Sequence, residues 1–189
     1  MDERVAVITG GSSGIGAALA RDLTRAGWRC VLVARGEERL RELAGEIGAE
    51  AEVCDVGDRA AVDALAGRVT ERHPRIKLLV NNAGIPARSD FISGDPERIE
   101  NVIRINYLGS VWCLRAFLPA LEAAAPSDVV NVVSVAGTVT MPPSAPTRRR
   151  STLSSRSRAR PQRSCAGAAS ASTRCSPGLP RPRASRSAA

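Results

Sequence analysis

Short apolar runs alternate with amphipathic stretches as far as Pro146, and there the pattern stops. VAVITG (5–10) reads as a strand running into glycine, and Ile15, Leu19 and Leu23 then recur at helical spacing before Gly27. CVLVA (30–34) predicts a second strand, Leu40, Leu43 and Ile47 a second helix, and AEVCDV (51–56) a third strand. Val62, Leu65, Ala66 and Val69 mark another amphipathic helix, and KLLVNN (77–82) a fourth strand. One long helical region is expected from about Pro96 to Ala124, followed by a fifth strand in DVVNVVSV (128–135). Strict alternation of strand and helix predicts a parallel sheet covered on both faces. Strands that are almost continuously Val, Ile or Leu fit burial on both sides. The fold class is therefore α/β, a Rossmann-type doubly wound parallel sheet that is truncated after the fifth strand.

Composition changes this picture only at the C-terminal end. The 189 residues suffice for one domain with a substantial core. All 19 acidic residues and all five aromatic residues precede Thr147. From Thr147 onward come 11 arginines, no acid and only two large aliphatics, Leu153 and Leu179. Such a segment cannot bury enough apolar surface to offset the entropy cost of ordering. Two regions result, an incomplete dinucleotide-binding domain over 1–146 and a disordered, basic Arg/Ser-rich tail over 147–189. Met1-Asp2-Glu3-Arg4 leads directly into a strand, so no signal peptide is expected, and no apolar run approaches a membrane span. The expected setting is cytoplasmic. The cysteines (Cys30, Cys54, Cys113, Cys165 and Cys175) have no metal-ligand spacing, and their odd number argues against a disulfide framework.

The candidate chemistry begins at TGGSSGIG (9–16), between the first strand and the first helix. Gly10 permits a tight turn, Gly14 lets backbone approach a pyrophosphate, and Gly16 lets helix pack closely on strand. The helix start then offers unpaired N–H groups and a positive dipole to phosphates.

The spacing Thr-Gly-x-x-x-Gly-x-Gly, with four further motifs in order, resembles the short-chain dehydrogenase/reductase family. NNAG (81–84) is similar to the family signature ending the fourth strand, and CDV (54–56) to its adenine-pocket segment. INYLG (105–109) resembles the helix segment carrying the catalytic asparagine, and VVNVVSVAG (129–137) the fifth strand carrying the catalytic serine. The resemblance implies catalytic roles for Ser134 and Asn106. It implies cofactor contacts from Gly10, Ser12, Ser13, Gly14, Ile15, Gly16, Arg35, Asp55, Val56, Asn82, Ala83 and Gly84. It also implies a strand order 3-2-1-4-5, a homo-oligomer, and hydride transfer between a nicotinamide and a small-molecule alcohol/carbonyl pair. No membrane and no specific nucleic acid partner is expected.

Charge argues for the cofactor. An acid at the end of the second strand would accept from the ribose 2′-OH and repel a 2′-phosphate, but Ala34 and then Arg35 stand there. A guanidinium favours phosphate, so NADP is expected over NAD. Arg39, one turn on, is placed to assist. His73, the only histidine, sits before Pro74 at a helix end and reads as a dipole partner rather than a base.

In the family a tyrosine about a dozen residues beyond the serine exchanges the proton. A lysine four residues later lowers its pKa and binds the nicotinamide ribose. Here those slots hold Thr147 and Ser151, which supply neither an accessible anion nor a positive charge. The chain as written is therefore expected to be catalytically inactive. Loss of one nucleotide before codon 147 accounts for both. With Pro146 as CCT, Thr147 as ACG, the three arginines as CGG, CGT and CGA, and Ser151 as AGC, the neighbouring frame reads Tyr-Ala-Ala-Ser-Lys. In the same frame ASASTRCSPG (169–178) can be read back as Gly-Ile-Arg-Val-His-Thr-Val-Leu-Pro-Gly, an apolar strand and turn. The tail thus reads as a frameshift product, which would leave the fifth strand as an apolar sheet edge. The alternative is a dinucleotide-binding remnant whose basic tail binds nucleic acid through counterion release. The tail's lack of aromatic residues for base stacking speaks against that alternative.

Overall fold

The computed structural model describes residues 3–86, 94–134 and 170–175. The elements run β1 (Val5–Thr9), α1 (Gly14–Arg25), β2 (Arg29–Ala34), α2 (Glu37–Ile47), β3 (Glu50–Val53) and α3 (Arg59–Arg72). They continue with β4 (Leu78–Asn81), α4 (Pro96–Ile103), a π-helical turn (Arg104–Leu108), α5 (Gly109–Ala123), β5 (Ser127–Val132) and β6 (Ser170–Cys175). The sheet order is β3-β2-β1-β4-β5-β6, parallel through β5 and antiparallel at the last pair.

Side-chain alternation along the strands builds two cores, because successive residues point to opposite faces. Val5, Val7, Val31, Val33 and Leu79 pack with Val62, Leu65, Val69, Phe117 and Leu121 of α3 and α5. Ala6, Ile8, Leu32 and Val80 pack with Ala17, Ala20, Leu40 and Leu43 of α1 and α2. Each fully buried Val, Leu or Ile stabilises the fold by about 1.5–3 kcal/mol. Charges guard the β3 edge. Arg68 and Arg72 of α3 pair with Glu52, and Arg72 also with Glu50, at 2.6–3.1 Å.

Three departures from the sequence expectations have physical causes. β3 ends at Val53, and although the Cys54 N–H still donates to the Ala34 carbonyl at 3.0 Å, Cys54, Asp55 and Val56 belong to the loop that follows and line a cleft. The long helix is interrupted by a π-helical turn over 104–108, centred on Asn106. The parallel sheet does end at β5, yet β5 is not left bare. Ser127–Val132 pairs with Ser170–Cys175, six residues of the segment expected to be disordered. Unpaired strand N–H and C=O groups accept any non-proline backbone, so a sequence of small and polar residues can supply this ladder. The remainder of the tail, including Thr147 and Ser151, lies outside the described residues.

Candidate cofactor cleft and active site

The cleft lies at the C-terminal ends of β1, β2 and β4, on either side of the point where strand order reverses. Its backbone is fixed by Thr9 and Asn82. Buried Thr9 Oγ1 accepts from the N–H groups of Asn82 (3.0 Å) and Ala83 (3.1 Å), and donates to the Val80 carbonyl at 3.3 Å. The Asn82 amide returns the tie, donating to the carbonyls of Thr9 (3.0 Å) and Gly10 (3.2 Å). Neither tie was legible from the motif spacing, although both residues stand inside motifs.

The glycines divide their work. Gly10 has φ +66°, and a Cβ there would lie 2.8 Å from Asn82 Nδ2. A Cβ on Gly16 would strike the Gly10 carbonyl and lie 2.6 Å from the same amide. Gly14 (φ +56°) faces open space, which leaves the loop accessible to a ligand. Helix capping follows the same division. Asp58 caps α3, accepting from Ala60 N (2.9 Å) and Ala61 N (3.3 Å), and Asp95 caps α4. Among the described residues, α1 and α2 have no side-chain cap at Ser13 or Gly36, so their first N–H groups are left for an anion.

The cleft encloses about 420 Å³. Gly10, Ser12, Ser13, Ile15, Arg35, Asp55, Val56, Asn82, Ala83 and Gly84 line it, as expected from the sequence. Gly14 and Gly16 do not: Gly14 lines the groove beside it, and Gly16 is buried beneath the loop. Cys54 lines it too, within the expected CDV segment, as does Ile105 at the start of INYLG; sequence reading missed Val33, Gly36 and Ile85, apolar or small wall residues that no motif distinguishes from core. Asp55 is oriented by the Gly57 N–H, 2.8 Å from its Oδ1, while its Oδ2 lies 3.8 Å from the Arg35 guanidinium. Both side chains are about half exposed, so that pair is weak. Burial, with the Asp55 carboxylate second, pushes the Cys54 thiol up to about 11, so this wall of the cleft is a neutral thiol.

A second cavity of about 740 Å³ shares Ile15, Asn82, Ala83 and Gly84 with the cleft, and Ser134 and Asn106 both line it. The Asn106 amide is engaged through both its nitrogen and its oxygen. Its Nδ2 donates to the Ile85 carbonyl (2.9 Å), and its Oδ1 accepts from the Ile85 N–H (2.8 Å). The amide therefore braces the chain after NNAG, while the widened π-turn sets the position of the Asn106 backbone. Beneath lie Asn81 and Asn131, with Asn81 Nδ2 donating to Asn131 Oδ1 at 2.9 Å and tying β4 to β5. His73 stands apart from both cavities. It caps α3, and its buried ring lies 2.7 Å from Glu50, joining α3 to the start of β3.

A model of the short chain dehydrogenase family matches residues 4–146. The chain belongs to the short-chain dehydrogenase/reductase family. Members of this family are NAD(P)-dependent oxidoreductases. An uncharacterized oxidoreductase of Staphylococcus saprophyticus is 34% identical over 143 residues, covering 72% of this chain and 61% of the relative. Sulfoacetaldehyde reductase 2 of Chromohalobacter salexigens is 40% identical over 139 residues, covering 70% of this chain and 55% of the relative. The chain therefore spans less than two thirds of the length of either. Among solved structures, a metagenomic short-chain oxidoreductase in complex with NADP superposes with a TM-score of 0.66 at 41% identity. That match covers 71% of this chain and 63% of the other. A variant of actinorhodin polyketide ketoreductase with NADPH gives 0.71 at 32% identity, covering 74% and 56%.

Proposed function

We propose that this chain is the cofactor-binding part of an NADP-dependent oxidoreductase acting on an alcohol/carbonyl pair, inactive as written because its proton-transfer residues are encoded in another frame. The observation that carries the reading is the joining of two cavities. Ser134 and Asn106 line one, the glycine-loop motif lines the other, and NNAG is common to both. The residues fit a dinucleotide. Gly14 leaves room at the loop and α1 presents uncapped N–H groups; in a bound dinucleotide Asp55 and Val56 would flank the adenine and Arg35 would meet the ribose. A bound nicotinamide supplies hydride chemistry. Ser134 would hold the carbonyl oxygen by a hydrogen bond, and Asn106 and Asn81 would keep that end of the site in shape. No residue in the slots of Thr147 and Ser151 can deliver the proton.

The NADP-bound and NADPH-bound relatives support the cofactor assignment, and Arg35 after Ala34 gives it a physical basis. The strand β6 falls on six residues that, with suitable codons, can be read back in the neighbouring frame as Ile-Arg-Val-His-Thr-Val. Inserting one base before codon 147 tests the proposal. The repaired protein is expected to reduce carbonyl substrates with NADPH, and the chain as written to show no turnover above background. Turnover by the unrepaired chain that disappears in Ser134→Ala would overturn the account of its inactivity. A repaired chain that folds and binds neither cofactor would overturn the cofactor reading.

A further inference from the structure

His73 is the only histidine of the chain, and its ring is buried but half satisfied. Nε2 lies 2.7 Å from Glu50 Oε1, whereas Nδ1 has no hydrogen-bond partner among the described residues, although the side chain is only 4% exposed. Burial works to raise the Glu50 carboxyl, but His73 and Arg72 outweigh it and hold it below its usual range. Nε2 therefore faces a carboxylate and carries the proton it donates. The ring lines a groove of about 220 Å³ at the N-terminal ends of β1 and β4, the end of the sheet opposite the cofactor cleft. Glu50 is not part of that wall, so Nδ1 is the ring nitrogen left for the groove.

The charges around the ring are compensated unevenly. Glu50 pairs with Arg72 (3.1 Å) and lies 3.7 Å from Arg29, and Glu52 pairs with Arg68 and Arg72 (3.0 and 2.6 Å). Glu3, the acid in the groove wall, pairs with Arg29 at 2.6 Å. Lys77 differs. Its ammonium donates to the carbonyls of Ala124 (2.7 Å) and Pro126 (3.5 Å) and enters no ion pair among the described residues, so its charge stands. Arg72 and Arg75 add to it, giving three cations in the wall against one acid. The carbonyl end of α3 opposes an anion but favours a charged imidazole beside it.

We propose that this groove binds a small tetrahedral oxyanion, sulfate or phosphate, between the Lys77 ammonium and the Nδ1–H of protonated His73. Binding takes one proton from solvent. The anion gives Nδ1–H the acceptor that the fold withholds, and the charged ring adds a donor to the anion, so each strengthens the other. Affinity therefore rises as pH falls. No other imidazole in the chain can supply that dependence.

A single histidine gives a single imidazole Cε1–H signal, so NMR of the full chain titrated with sodium sulfate reads the site directly. Sulfate keeps its charge between pH 6 and pH 8, and sodium chloride at equal ionic strength controls for screening. A saturable shift is expected with sulfate alone, with Kd about 5- to 10-fold lower at pH 6 than at pH 8, since one linked proton allows at most about tenfold per pH unit. Lys77→Gln, which keeps a donor for the two carbonyls and removes the charge, should weaken sulfate about 3- to 10-fold at pH 6. A shift no larger than that with chloride, as when water alone fills the groove, overturns the inference. So does equal affinity at the two pH values, or affinity unchanged in Lys77→Gln. If that variant fails to fold, the titration of the parent chain decides.

Discussion

The two ends of the sheet are held in different ways. Around β1 and β4 each constraint belongs to a particular side chain: Thr9 and Asn82 exchange four hydrogen bonds with the loop backbone, and Gly16 admits no Cβ. At the other end, β6 adds to β5 through its backbone, and its sequence is Ser-Ala-Ser-Thr-Arg-Cys. Val133 just beyond β5 is half exposed, and Ser134 with it opens onto the cavity. The contrast separates what any backbone can supply from what only particular side chains can. Ladder hydrogen bonds are common to nearly all residues, so a strand of small and polar residues can still complete the sheet. A phenol and an ammonium at fixed spacing cannot be replaced in this way.

The comparison can be broken first at the loop. Arg35→Asp should cost NADPH binding about 10- to 150-fold, corresponding to about 1.5–3 kcal/mol for a lost charge-assisted contact. An isotherm indistinguishable from that of the parent would remove Arg35 from the site. Next is Gly16→Ala, whose methyl meets the Gly10 carbonyl and Asn82; about 1–3 kcal/mol of stability should be lost, seen as a lower Tm. The same substitution at Gly36, where a Cβ meets nothing within 4 Å, should have little effect on Tm. Asp58→Ala removes the side-chain cap of α3 and should cost about 1 kcal/mol in urea denaturation.

A further effect is on pH dependence. Burial raises the Cys54 thiol to about 11 and the Cys113 thiol to about 12, from an ordinary 9.0. A group whose folded pKa is raised binds more protons when folded. Its contribution is complete below pH 9 and is lost as pH rises through about 11. Denaturation midpoints should therefore fall between pH 9 and 11, and less so in Cys54→Ala. Both thiols should resist iodoacetamide at pH 8 until urea unfolds the chain.

Much of this was legible in the sequence because buried strands and glycine turns restrict residue type strongly. The parallel order, the two-sided burial of VAVITG and the joining of NNAG to the glycine loop all follow from pattern and motif. What escaped depended on contacts that spacing does not encode. The role of Thr9 rests on a partner more than 70 residues away, and Asn106 uses its amide on the Ile85 backbone. The π-turn has no sequence signal separate from a regular helix, since Arg104–Leu108 keeps ordinary helical residues. The pairing of 170–175 escaped for the opposite reason, because composition sees side chains and this strand is defined by its backbone.

The most direct test is the nucleotide sequence of codons 144–175. The account predicts that one inserted base before codon 147 makes the frame read Tyr-Ala-Ala-Ser-Lys from position 147, with Gly-Ile-Arg-Val-His-Thr-Val following at 169–175. Third bases that yield neither tyrosine at 147 nor lysine at 151 in that frame would contradict it.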